Sequence, residues 1–202
     1  FPREITITAE TPIVIEYAVW WDWDIEHLYE LEHIWVLLDE NGNIVGGEAS
    51  WHGGFHEMLD ENNTLPIEDG RLTVHSEPGK HAFAPSPKWL LERQETTVRS
   101  CSTRSGTMGV HVTPLFEGFI HDRIPINNRL VHTYLERQSF EPSYDFSKIF
   151  DLEEAVFVPW ANLFQWIPSR VNWWTQELDR MIPPNERRGI RIAHRGASAY
   201  AP

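Results

Sequence analysis

The chain has 202 residues, 41% of them hydrophobic and 23% charged, enough for one well-packed domain. No apolar run approaches the ~18 residues of a membrane span, and a single cysteine, Cys101, excludes an internal disulfide framework and reads as a buried thiol. The net charge of −13 is uneven: residues 1–70 hold sixteen acidic side chains against one basic residue, Arg3, which argues against nucleic acid or an anionic membrane as partner and favours cations.

In chain order, Ile5–Thr8 and Ile13–Trp20 are β-branched and aromatic, separated by Thr11-Pro12, and predict two strands. His33–Leu38 is apolar on both faces and predicts a central strand. Asp39–Asn43 contains Asn41-Gly42, a hairpin signal, and Ile44–Ser50 is the expected return strand. Further strands are expected at Arg71–His75, Gly109–Val112 and Leu130–Leu135, and helices at Asp151–Ala155 and Ser169–Ile182. Fourteen prolines and twelve glycines punctuate these runs. The expectation is therefore a mainly β domain over residues 1–168, an antiparallel β-sandwich with long loops, followed by a C-terminal helix and a polar linker over 169–189. The chain starts at Phe1, without a basic-then-apolar leader, which fits processing or excision. A secreted or cell-surface location is favoured over a cytoplasmic one.

The segment His27-Leu28-Tyr29-Glu30-Leu31-Glu32-His33, preceded by Asp22 and Asp24, concentrates carboxylates and imidazoles that repel one another unless a cation sits among them. On a strand from residue 30 to 38, Glu30 and Glu32 share one face, because side chains alternate. His27 has the wrong parity, so residues 22–29 are expected to be loop if His27 joins them. An imidazole with several carboxylates suits Ca²⁺, Mg²⁺ or Mn²⁺, with Zn²⁺ as the alternative ion. The competing arrangement is an exposed helix over 25–33 with a solvated charged face. His52, His75 and His81 form a second set, read as supports for the ion, ligand-binding groups, a second metal site, a general base or satisfied polar residues. Gly53-Gly54 allows close backbone approach or makes a turn.

His27–His33 followed by an apolar strand resembles the heptapeptide His-Arg-His-Asp-Trp-Glu-His of the necrosis-inducing (ethylene-inducing) cytolysins. Ala49-Ser50-Trp51-His52-Gly53-Gly54-Phe55 is similar to their Ser-Ala-His-Gly-Gly-Tyr segment, and Val74–Phe83 to their strand ending in His-Ala-Leu. The vacuolar-sorting-type proteins with Asp-Trp-Glu-His share the pattern. The resemblance covers residues 17–85 and implies a β-sandwich with a divalent ion on His27, Glu30, Glu32 and either Asp22 or Asp24. Tyr29, Glu30 and Leu31 depart from the motif, and Glu30 reaches one methylene further than the Asp it replaces.

The last thirteen residues, Ile190-Arg191-Ile192-Ala193-His194-Arg195-Gly196-Ala197-Ser198-Ala199-Tyr200-Ala201-Pro202, resemble the first strand and loop of glycerophosphodiester phosphodiesterases, a TIM-barrel family. The resemblance implies acid/base chemistry for His194 and phosphate contact for Arg195. Such a barrel needs about 250 residues, so this catalytic site is incomplete and the chain is expected to lack that activity. The combined expectation is an accessory metal-binding module ahead of a phosphodiesterase barrel, recognising a polar lipid head group or glycan. The alternatives are an independent metal-dependent hydrolase using the His/Glu cluster and a module with a purely structural ion.

Overall fold

The computed structural model describes residues 4–150 and 155–187. Its centre is an antiparallel meander of β1 (Ile13–Trp23), β2 (His27–Leu38), β3 (Ile44–Trp51) and β4 (Gly54–Glu57), paired in that order. The expected hairpin joins β2 to β3: Gly42 has φ +82°, and the Asp39 carboxylate accepts from the backbone N–H of Asn41 and Asn43. Two small antiparallel pairs follow, β5 (Ile67–Glu68) with β6 (Arg71–Leu72) and β7 (His75–Ser76) with β8 (Phe83–Ala84). Helices α1 (Pro87–Leu91) and α2 (Gln94–Cys101) lead to β9 (Gly109–Val110), which adds to β2 in parallel. Helices α3 (Pro125–Glu136) and α4 (Trp160–Met181) complete the described chain.

Two apolar clusters lie on opposite faces of the sheet. On one, Leu28, Tyr29 and Val110 pack with Leu130, Val131 and Leu135 of α3 and Ile167, Val171 and Leu178 of α4. On the other, Ile34, Val36, Ala49, Met58 and Phe83 pack with Tyr17, Val19 and Trp21 and with Leu72 and Val74 near the small strands. Over Tyr17–Trp21 of β1 and Leu31–Leu38 of β2, alternation sends odd and even positions to these two cores.

Helix and strand contribute about equally, a larger helical share than expected. Leu130–Leu135, read as a strand from its β-branched residues, lies in α3. Pro125 opens that helix, and Leu130, Val131 and Leu135 turn one helical stripe inward. Ser169–Ile182 is helical, but α4 begins earlier, at Trp160, and carries Pro168 inside it, so the division expected between residues 168 and 169 falls within one helix. Ile5–Thr8 is not a strand, and Ile7 is largely exposed. Arg71–His75 divides into β6 and β7, which pair with different partners. The helix expected at Asp151–Ala155 falls mostly outside the described residues, as do His194, Arg195 and the whole of residues 190–202.

Candidate functional site

The turn between β1 and β2 is short. The Asp24 N–H donates to the His27 carbonyl at 3.0 Å, and Asp24 Oδ1 accepts from the N–H of Glu26 and His27 at 2.5 and 3.1 Å. The Ile25 N–H donates to the Gly79 carbonyl, and the Gly106 and Met108 N–H groups donate to the carbonyls of Ile25 and Glu26. Two distant segments, around Gly79 and over Gly106–Met108, therefore hold the turn in place.

His27 joins the carboxylates by a route that simple alternation does not foresee. Residues 22–29 are not a loop; β1 runs to Trp23 and β2 starts at His27. Tyr29 has φ +55°, a left-handed conformation that is strained for a bulky side chain. Its ring stacks on Trp20 at 5.3 Å and meets Phe116 edge-on, while its hydroxyl accepts from the Thr113 N–H at 3.2 Å. With Tyr29 pinned this way, Leu28 and Tyr29 both enter the helix-side core and His27 moves to the face of Glu30.

Asp24, His27 and Glu30 each offer a ligand atom, and these atoms all lie within 4.8 Å of one another. His27 Nδ1 donates to the Tyr29 carbonyl at 2.8 Å, which leaves the Nε2 lone pair facing Asp24 Oδ2 at 3.5 Å and Glu30 Oε2 at 3.6 Å. Burial, then Lys80 and His111, push the imidazole down to about 3, so it is neutral at pH 7. Burial, then Glu32 and Asp24, push the Glu30 carboxyl up to about 8. Burial pushes Glu32 up to about 7, even though Ser50 stabilises its charge. The Ser50 hydroxyl donates to Glu32 and accepts the His33 N–H at 2.6 Å, just past the last paired rung between β2 and β3.

Lys80 is the local counter-charge. Its ammonium contacts Asp24 and lies 2.9 Å from Glu26, which also takes Arg104 at 2.7 Å. Burial alone would lower the Lys80 ammonium, but Asp24 and Glu26 raise it. Two cations thus serve Asp24 and Glu26, while no lysine or arginine among the described residues is paired with Glu30 or Glu32.

Of the sequence-predicted residues, Asp24, His27, Glu30 and Glu32 come together. Asp22 does not: alternation turns it to the helix face, where Arg170 binds it at 2.7 and 2.6 Å. His52 reaches the cluster's rim through Glu77, with Nε2 2.6 Å from Oε2. His81, at φ +66°, stacks on Trp21 at 4.7 Å, and its buried ring lies in the field of Asp24 and Glu77. His75 stands apart on β7, edge-on to Phe146.

Sequence reasoning gave no role to Lys80, Glu26, Glu77, Ser50 or His111. His111 follows β9 and lies 4.8 Å from the His27 ring. Lys80, the first lysine of the chain after the acid-rich residues 1–70, was the available signal for the buried ion pair. Glu26 adjoins His27 in the acidic segment, whereas Ser50, Glu77 and His111 lie far from it in sequence.

No family model, curated protein or solved structure matches this chain.

Proposed function

We propose that this chain is a divalent-cation-binding module whose ion is held by Asp24, His27 and Glu30. The observation that carries the reading is the convergence of an unprotonated imidazole nitrogen with two carboxylate oxygens. Lys80 answers Asp24 and a proton answers Glu30, and a divalent ion would replace that proton once Glu30 ionises. The Tyr29 carbonyl orients the imidazole as a second-layer partner orients a metal-bound histidine. Glu32, beside Glu30, adds negative charge. An oxygen-rich set with one imidazole fits Ca²⁺, Mg²⁺ or Mn²⁺ better than Zn²⁺.

The ion would hold a polar ligand, a lipid head group or glycan, at the end of the sheet. The excess of carboxylates there favours ligands without negative charge. A sandwich kinship with the cytolysins belongs to this proposal, supported by the His27–His33 and Ala49–Phe55 motifs and by two cores on opposite faces of the sheet. A neighbouring phosphodiesterase barrel is supported by the motif at residues 190–202 alone.

Titration calorimetry on the dialysed chain tests the ion. One site is expected for Ca²⁺, Mg²⁺ or Mn²⁺, with affinity in the roughly micromolar to millimolar range of oxygen-rich sites, weakened at least tenfold in Glu30→Gln. No heat from any of these ions, or equal binding by Glu30→Gln, would sink the proposal.

A further inference from the structure

We propose that His52 and Glu77 form a dyad that activates water for the hydrolysis of an uncharged carboxylic ester. This goes beyond the cation reading and does not depend on it.

The geometry is that of an oriented base. Glu77 is buried; its Oε1 accepts from the Thr97 hydroxyl at 2.5 Å, and its Oε2 lies 2.6 Å from His52 Nε2. A carboxylate accepts, so Nε2 carries the proton and Nδ1 keeps its lone pair. Nδ1 has no hydrogen-bond partner among the described residues, and the His52 side chain is 36% exposed. The edge of Trp51 stands 4.7 Å from the ring.

The backbone bears a cost for this placement. His52 and Gly53 are the two central residues of the β3–β4 hairpin, flanked by the pair Trp51 and Gly54. Their φ values are +45° and +84°, as a type I′ turn demands. Asn is the usual first residue of that turn, and a histidine there is strained. The turn faces open space, since a Cβ at Gly53 would meet nothing within 4 Å.

The surroundings choose the substrate. Lys80 and Arg104 are engaged by Asp24 and Glu26, and Arg93 lies on the Trp89 ring with Nη1 on the Trp89 carbonyl. Neighbouring Glu32 lies in the field of the Asp24 and Glu77 carboxylates. An anionic phosphodiester would meet these carboxylates, whereas an uncharged ester would not. Trp51 and Trp89, 4.4 Å apart, give an apolar wall beside His52 for its acyl or alcohol part.

The step is balanced without a co-reactant. Water gives one proton to His52 Nδ1 as its oxygen bonds to the ester carbonyl carbon. Glu77 stabilises the imidazolium. The carbon–oxygen bond to the leaving alkoxide then breaks, and the alkoxide takes the proton from Nδ1, yielding acid and alcohol.

The test is hydrolysis of 4-nitrophenyl acetate and butyrate in EDTA, with bis(4-nitrophenyl) phosphate alongside. His52→Asn keeps the residue type that suits the turn, so the variant folds, and kcat/KM is expected to fall by about 100-fold or more. Glu77 is a positioning residue: Glu77→Gln should lower kcat with KM unchanged and shift the ¹⁵N resonances of His52 away from the Nε2–H tautomer. Ester turnover no faster than buffer, or turnover surviving His52→Asn, overturns the dyad. Turnover that vanishes in EDTA and in Asp24→Asn but persists in His52→Asn assigns the chemistry to the cation site instead. Turnover of the phosphodiester alone overturns the substrate class.

Discussion

Arg170 of α4 grips both carboxylate oxygens of Asp22 on β1, Nε to Oδ1 at 2.7 Å and Nη2 to Oδ2 at 2.6 Å, across 148 residues of chain. The guanidinium also lies 4.2 Å from the centre of the Trp173 ring. A forked, charge-assisted pair of this kind fixes orientation as well as distance, so this contact sets how α4 lies against the sheet.

Arg170→Ala is expected to cost about 1–2 kcal/mol, less than a buried pair because both partners are partly exposed. Burial alone would raise the Asp22 carboxyl, but hydrogen bonds from Arg170 and then Trp20 hold it below its usual value. A carboxyl lowered in the folded state adds stability above its unfolded pKa of about 3.9, and loses it as pH falls through the folded value. Urea melts across the acid range should therefore show a shallower acid limb in Arg170→Ala than in the parent.

Lys80→Met should be far more damaging. It leaves Asp24 without its ammonium partner and Glu26 with the half-exposed Arg104 alone, in a site where Asp24, Glu26 and Lys80 are all buried. Breaking such a pair costs about 3–5 kcal/mol. Chemical denaturation checks the value. A loss below about 1 kcal/mol would mean the acids are neutral in the fold, since protonated carboxyls need no counter-ion.

Stability without an ion should fall as pH rises. Glu30 and Glu32 titrate at about 8 and about 7 in the fold, above the unfolded value. The folded state therefore binds more protons from about pH 4.5 upward, and stability declines until both have ionised. A divalent ion needs Glu30 ionised and gains from a charged Glu32 beside it, so the gain in Tm from saturating CaCl₂ should be larger at about pH 8.5 than at about pH 6. Scanning fluorimetry at the two pH values reads the difference, and Glu30→Gln should abolish most of it.

Gly106→Ala tests the support beneath the turn. Gly106 has φ +70°, and a Cβ there would lie 2.7 and 2.8 Å from the backbone of His132 on α3. Backbone cannot step aside as a side-chain end can, so α3 must shift. The expected loss is about 2 kcal/mol or more. Gly42→Ala, also at positive φ but with open space around it, should lose less; equal losses would show that the α3 contact carries no weight.

By itself the sequence determined the first three strands of the meander, with the hairpin between β2 and β3, and the place of the acidic site. Asn41-Gly42 specifies its own turn, the runs on either side alternate or are fully apolar, and both signals act over a few residues. The grouping of Glu30 with Glu32 needs only the period of a strand. Tertiary structure decided the rest. Leu130–Leu135 has strand-like residues, yet it is helical because Pro125 starts the helix and a core on the sheet face takes its apolar stripe. His27 joins Glu30 only because Trp20, Phe116 and Thr113 hold Tyr29 in a left-handed conformation. Asp22 is lost to Arg170, 148 residues away, and Lys80 and Glu77 reach the cluster through long-range packing. Local pattern encodes backbone period and turn chemistry, but a charged side chain takes its partner from whichever distant segment the cores bring beside it.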